Sequence, residues 1–170
     1  MRVDIFYQRA LDAAVAGDVS GAKTNLTAAR EAETKEKNEG WSVMGDLRTM
    51  FRAYLPRIAQ AHINAGHPAE AVRMLESLGD DPGTMGIRAV LINAHAAAGD
   101  TAAVDKELAN VDEGLAREIA ETVAVKTLAQ SALPDRWTRL ESWIATMATP
   151  LQRANACCVV ADVLLSAEKK

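Results

Sequence analysis

The sequence predicts an all-α chain, an α-solenoid of stacked antiparallel helix pairs with about nine helices in one domain over residues 1–170. Three observations point to it. A short phrase recurs, as AVAGDVSGA around Ala14, INAGHPAEA around Ile63 and AAAGDTAAV around Ala96. Its glycines are Gly17, Gly66 and Gly99; the last two lie 33 residues apart, and a leucine follows each by nine residues, at Leu26, Leu75 and Leu108. A period of that length is typical of two-helix repeats. Composition is the second observation: 49% of residues are hydrophobic but only 4% are aromatic, and alanine makes up much of the difference. Alanine has the highest helix propensity and little bulk, so it favours close helix-on-helix contact. Finally, no stretch alternates with period two for long enough to argue for a strand.

Each helix follows from its own start and stop signals. The first is expected over 3–16, with Ile5, Phe6, Ala10, Ala13 and Ala14 near one face. Gly17 ends it in a left-handed conformation, and Asp18 is placed to cap the next helix. Gly99–Asp100 repeats the device; at Gly66–His67–Pro68 the proline takes the first helical position instead. The second helix, 19–37, ends in a charged run where Glu31–Lys35 and Glu33–Lys37 stand acid-first at i,i+4. The third, 46–65, keeps its apolar spacing through Pro56, which predicts a kinked helix. Helices over 69–78 and 84–98 are parted by the turn 79–83, and another covers 102–110. A degenerate fourth pair spans 113–132 and 136–148, with Asp135 as the expected cap. Thr149–Pro150 opens a closing helix over 151–167, whose stripe is Leu151, Ala154, Cys158, Ala161 and Leu165. The pairs are therefore 3–37, 46–78, 84–110 and 113–148, with an insertion of about 16 residues after the first.

The stretches IAQAHINAGHPAEA (58–71), LINAHAAAGDTAAV (91–104) and ALDAAVAGDVSGA (10–22) approximate I-A-x-A-x-x-x-A-G-D-x-x-x-A. In this the chain resembles the tetratricopeptide-repeat-like α-solenoids, in a divergent bacterial form. It departs from the usual pattern where Ala13, His62 and His95 replace a large aromatic four residues before the turn glycine. The resemblance implies a right-handed solenoid in which the first helix of each pair lines a concave groove. Carried through the glycines, the groove candidates are Tyr7, Leu11, Gln60, Ile63, Asn64 and Asn93. The set is nearly uncharged and lacks the Lys/Arg pair that clamps a peptide's terminal carboxylate. The implied function is a non-catalytic scaffold or adaptor that binds a protein or peptide through the groove or an exposed end. The alternative is a small-molecule sensor or enzyme with a pocket between repeats, built from His62, Gln60, Asn64 and Asn93.

Other classes of function are disfavoured. A net charge of −4 lacks the concentrated basic face that nucleic acid requires. No segment approaches ~18 consecutive apolar residues, so no membrane span is expected, and the acid-bearing N-terminus does not read as a signal peptide. Cys157 and Cys158 are adjacent on one helix and poorly placed to pair; they are expected to be small buried packing residues in a reducing cytoplasm. His62 and His95 occupy equivalent positions in successive repeats, too far apart to share a metal ion; each is expected at a helix junction, bonded to a nearby carbonyl. No cofactor or metal is expected, and no phosphate loop, nucleophile elbow or H-E-x-x-H is present. Trp143 is expected in the core, while Trp41, outside the repeat frame, is an interface candidate. Leu164 and Leu165, with Val159, Val160 and Val163, make the closing helix apolar nearly all round. Such a helix is normally covered, so a homodimer through it is expected. The opening Met1 and the basic Lys169–Lys170 end are those expected of a whole gene product.

Overall fold

A computed structural model describes residues 2–38, 53–79 and 84–167. Among these residues there are nine α-helices and no strand. They are α1 (Arg2–Val15), α2 (Val19–Asn38), α3 (Tyr54–Asn64), α4 (Pro68–Leu78), α5 (Thr84–Ala98), α6 (Thr101–Leu108), α7 (Leu115–Gln130), α8 (Arg136–Thr146) and α9 (Pro150–Ala167). The chain divides into two compact units, Met1–Val90 and Leu91–Lys170.

The three glycine turns share one hydrogen-bond pattern. Gly17, Gly66 and Gly99 have φ of 76°, 83° and 74°. Each glycine N–H donates to the carbonyl three residues back (Ala14, Ile63, Ala96), and the next residue's N–H donates to the carbonyl five back (Ala13, His62, His95) at 2.8–2.9 Å. This doubly bonded left-handed turn satisfies the last carbonyls of one helix and turns the chain straight into the next. Asp18 Oδ1 then accepts from Gly21 N–H at 2.8 Å, and Asp100 Oδ1 from Ala103 N–H at 3.0 Å. His67 makes no side-chain cap; Pro68 begins α4 there instead.

The repeat register also fixes the core. Leu26, Leu75 and Leu108 are all buried, as are Ala10, Ala59 and Ile92 seven residues before the glycines and Ala22, Ala71 and Val104 five residues after them. In the first unit α1 packs on both α2 and α3, and α3 on α4. Arg30 of α2 donates to Ser77 Oγ of α4 at 3.2 Å. The start of α5 lies close to α3, where a Cβ on Gly86 would sit 3.1 Å from Pro56 Cγ. In the second unit α7 packs against α6, α8 and α9 around Val104, Leu108, Leu128, Leu140 and Trp143. The Trp143 indole N–H donates to Asp105 Oδ1 at 2.8 Å.

Several sequence expectations need correction. The core face of α1 is Val3, Tyr7, Ala10, Leu11 and Ala14, whereas Ile5 is 50% exposed. Pro56 lies in the first turn of α3, which starts at Tyr54 with Ala53 as its N-cap; a missing N–H costs little there, and the expected stretch 46–52 lies outside the described residues. Asp135 makes no side-chain cap bond and instead accepts from Arg139 Nε at 2.8 Å. Thr149 caps α9 as expected, in a reciprocal box with Gln152. The inward face of α9, however, is Ala156, Val159, Val160 and Val163. The expected stripe of Leu151, Ala154, Cys158, Ala161 and Leu165 points the other way and is exposed, and both cysteines are exposed rather than buried.

Candidate functional site

Two helices of the first unit form a groove of about 700 Å³. Its walls are Gln8, Leu11, Asp12 and Val15 of α1 and Arg57, Gln60, Ala61 and Asn64 of α3, with Val90 of α5 beside them. Counted back from Gly17, Gly66 and Gly99, these residues recur at nine, six, five and two positions before the turn; Val90 takes the first of those places in α5. That spacing is one face of a helix, opposite the face that carries Ala10, Ala14 and Ala59 into the core.

Each wall carries an internally bonded polar pair at i,i+4. On α1, Gln8 Nε2 donates to Asp12 Oδ1 at 2.8 Å; on α3, Gln60 Nε2 donates to Asn64 Oδ1 at 2.9 Å. The second bond leaves Gln60 Oε1 and Asn64 Nδ2 as an acceptor and a donor without a partner among the described residues. Arg57 is exposed, its guanidinium 5.5 Å from the centroid of the Tyr54 ring. Tyr54 stacks on Tyr7 at 5.9 Å, and its hydroxyl donates to Asp4 Oδ1 at 3.1 Å. That bond, with burial and the Asp4 charge adding to it, raises the Tyr54 hydroxyl above its ordinary pKa of 10.0 despite the opposing Arg57 charge. The phenol is therefore neutral and acts as a donor.

The six groove candidates do not all gather here. Leu11, Gln60 and Asn64 line the groove. Tyr7 is 3% exposed, and its hydroxyl donates to Glu33 Oε1 at 3.0 Å, tying α1 to the charged end of α2. Ile63 is half-buried and absent from the groove wall. Asn93 belongs to the second unit, where its Oδ1 accepts from Thr127 Oγ1 at 3.4 Å. The signal that separates them is positional. Tyr7 and Ile63 stand ten and three residues before their glycines, about 100° around the helix from the groove positions. Gln8, Asp12, Val15 and Arg57 were missed although the same count from the glycine finds them.

His62 is 3% exposed and lines no groove. Contrary to expectation its Nδ1 has no hydrogen-bond partner among the described residues. Burial lowers its pKa below the ordinary 6.5; Glu70 opposes that shift and His67 adds to it. His95 is half-buried. Among the described residues no cluster of His, Cys, Asp and Glu could hold a metal ion, and no helix is long and apolar enough to cross a membrane. On the far end of the chain Leu164 and Leu165 are 46% and 58% exposed. Trp41 lies outside the described residues.

The second unit has a smaller cavity, about 400 Å³, where α7 meets the start of α9. Its Glu121 is held by Arg117 Nε at 3.3 Å and by Gln152 Nε2 at 3.0 and 3.2 Å, so its central charge is already used in joining the two helices. No family model, curated protein or solved structure matches this chain.

Proposed function

We propose that the protein is a non-catalytic binding module of the tetratricopeptide-like kind, and that the α1–α3 groove takes an extended peptide segment of a protein partner. The observation that carries this is the Gln60–Asn64 pair. A carboxamide offers a donor and an acceptor together, as a peptide unit does. Residues four apart on a helix are about 6 Å apart along its axis, close to the two-residue repeat of an extended chain, roughly 6.6–6.8 Å. The Gln60–Asn64 bond already holds both amides, which reduces the ordering cost on binding. Gln8–Asp12 repeats the spacing on the opposite wall, while Leu11, Val15 and Val90 give apolar contact between the polar edges.

Small-molecule binding rested on His62 joining Gln60, Asn64 and Asn93. The burial of His62 away from the groove favours the peptide reading.

Selection of random peptides displayed on phage against the immobilised chain tests the reading. Peptides enriched on the wild type are expected to bind the Gln60→Ala/Asn64→Ala variant about tenfold or more weakly, since each lost side chain removes hydrogen bonds worth ~0.5–1.5 kcal/mol. Enrichment of none, or equal binding to both chains, would refute it.

A further inference from the structure

We infer that the peptide held in the α1–α3 groove carries an acidic and a basic side chain two residues apart, the acid against Arg57 and the base against Asp12. This rests on the groove being a peptide site, and it adds which side chains that peptide must bring. The groove wall holds two charged residues, Asp12 on α1 and Arg57 on α3. Both are exposed, and neither takes part in an ion pair among the described residues. Asp12 Oδ1 accepts from Gln8 Nε2 at 2.8 Å, which leaves Oδ2 without a partner among the described residues. The Arg57 guanidinium lies 5.5 Å from the centroid of the Tyr54 ring, and its N–H groups have no acceptor among the described residues.

The spacing of the two charges follows from the repeat. Helices α1 and α3 run in the same direction and in one register. Tyr54 stands twelve residues before Gly66, and the residue twelve before Gly17 is Ile5. Tyr54 meets the neighbours of that position, stacking on Tyr7 and donating to Asp4, so the two helices start side by side. Gln8 and Arg57 therefore share one level of the groove, nine residues before their glycines. Leu11 and Gln60 share the next, Asp12 and Ala61 the third, and Val15 and Asn64 the last. From the level of Arg57 to that of Asp12 is four residues, or about 6 Å along the axis. Side chains on one face of an extended chain recur at roughly 6.6–6.8 Å. A strand lying along Gln60 and Asn64 thus brings alternate side chains to these two levels, where one wall is positive and the other negative. Either chain direction satisfies the spacing, as acid-x-base or as base-x-acid. The rest of the wall is uncharged, so nothing in it cancels the pattern, and a peptide with the two charges exchanged meets like charge at both levels.

Peptides selected on the full chain are the probe. Those weakened by Gln60→Ala/Asn64→Ala are the groove binders, and they are expected to be enriched in an acid and a base two residues apart. For one such peptide, followed by fluorescence anisotropy, Arg57→Ala is expected to weaken binding about two- to fivefold, the scale of an exposed ion pair, and Arg57→Glu about tenfold. Replacing the acid of the peptide by lysine is expected to weaken binding to the wild type by a similar factor and to restore it on Arg57→Glu. Asp12→Lys is expected to behave in the same way toward the base. All of these differences should shrink as salt is raised, because the charges are exposed. The exchanged peptide is read on the unaltered protein, so the outcome does not hang on how a variant folds. Groove binders without the charge spacing, or a wild type that binds the acid-to-lysine peptide equally well, would overturn the charge assignment and leave the peptide groove standing. Selected peptides that ignore Gln60→Ala/Asn64→Ala would overturn the groove, and the charge assignment with it.

Discussion

Helices α3 and α9 both put small and branched apolar residues into a core, and they differ on the side that faces away. On α3 that side is Arg57, Gln60 and Asn64; on α9 it is Leu151, Ala154, Cys158, Ala161 and Leu165. Polar residues on one side decide which way an amphipathic helix turns. On α3 they left one solution, and the buried set Leu55, Ile58, Ala59, Ala61 and His62 follows from it. On α9 hydropathy allowed two faces, and the wrong one was expected to be the core. The deciding term is fit: Val159, Val160 and Val163 pack against the second unit's core.

The largest expected effects test whether one repeat register governs both regions. Leu108→Ala should cost about 2–5 kcal/mol, since the side chain is 2% exposed in a packed core. Leu75→Ala, at 9% exposed, should fall toward the lower end. Urea melts measure both, and a neutral result at either leucine would break the register.

The glycine turns sharpen the contrast. At Gly66 a Cβ would meet nothing within 4 Å, so Gly66→Ala should carry only the left-handed backbone penalty of ~1–2 kcal/mol. At Gly99 it would lie 2.8 Å from Leu133 Cδ1 and 2.9 Å from Arg139 Cδ, and Arg139 also donates to the Gly99 carbonyl. Gly99→Ala should therefore destabilise more than Gly66→Ala in thermal melts. Equal losses would mean that the second unit does not close on that turn.

A smaller effect separates the regions by pH. His62 is held neutral by burial, so its folded pKa lies below its unfolded value. Its contribution is intact above about pH 6.5 and is lost as pH falls toward the folded pKa, because the unfolded chain takes up the proton first. The wild type should lose a few °C more in melting temperature than His62→Leu between pH 7.5 and 5. Parallel curves would show that the imidazole titrates alike in both states. Leu165→Glu should be smallest of all, within ~0.5 kcal/mol, because the residue is 58% exposed.

Much of the fold was legible because it is written in residues with few alternatives. Left-handed glycines and a leucine nine residues on are local signals that all three copies place in the same setting, and two of the copies add a capping aspartate. The groove was legible in part. Gln60 and Asn64 could be found, but Tyr7 and Ile63 were drawn from the neighbouring face, since a 100° step changes a residue's surroundings completely and leaves the apolar count unchanged. The bond between Tyr7 and Glu33, 26 residues apart, had no local signal at all.

The central claim is that the polar side of α3, not the apolar side of α9, takes the partner peptide. Titration calorimetry of one selected peptide against wild type, Gln60→Ala/Asn64→Ala and Leu165→Glu tests it most directly. The account predicts at least about tenfold weaker binding for the groove variant and an unchanged affinity for the α9 variant. The opposite order would contradict it.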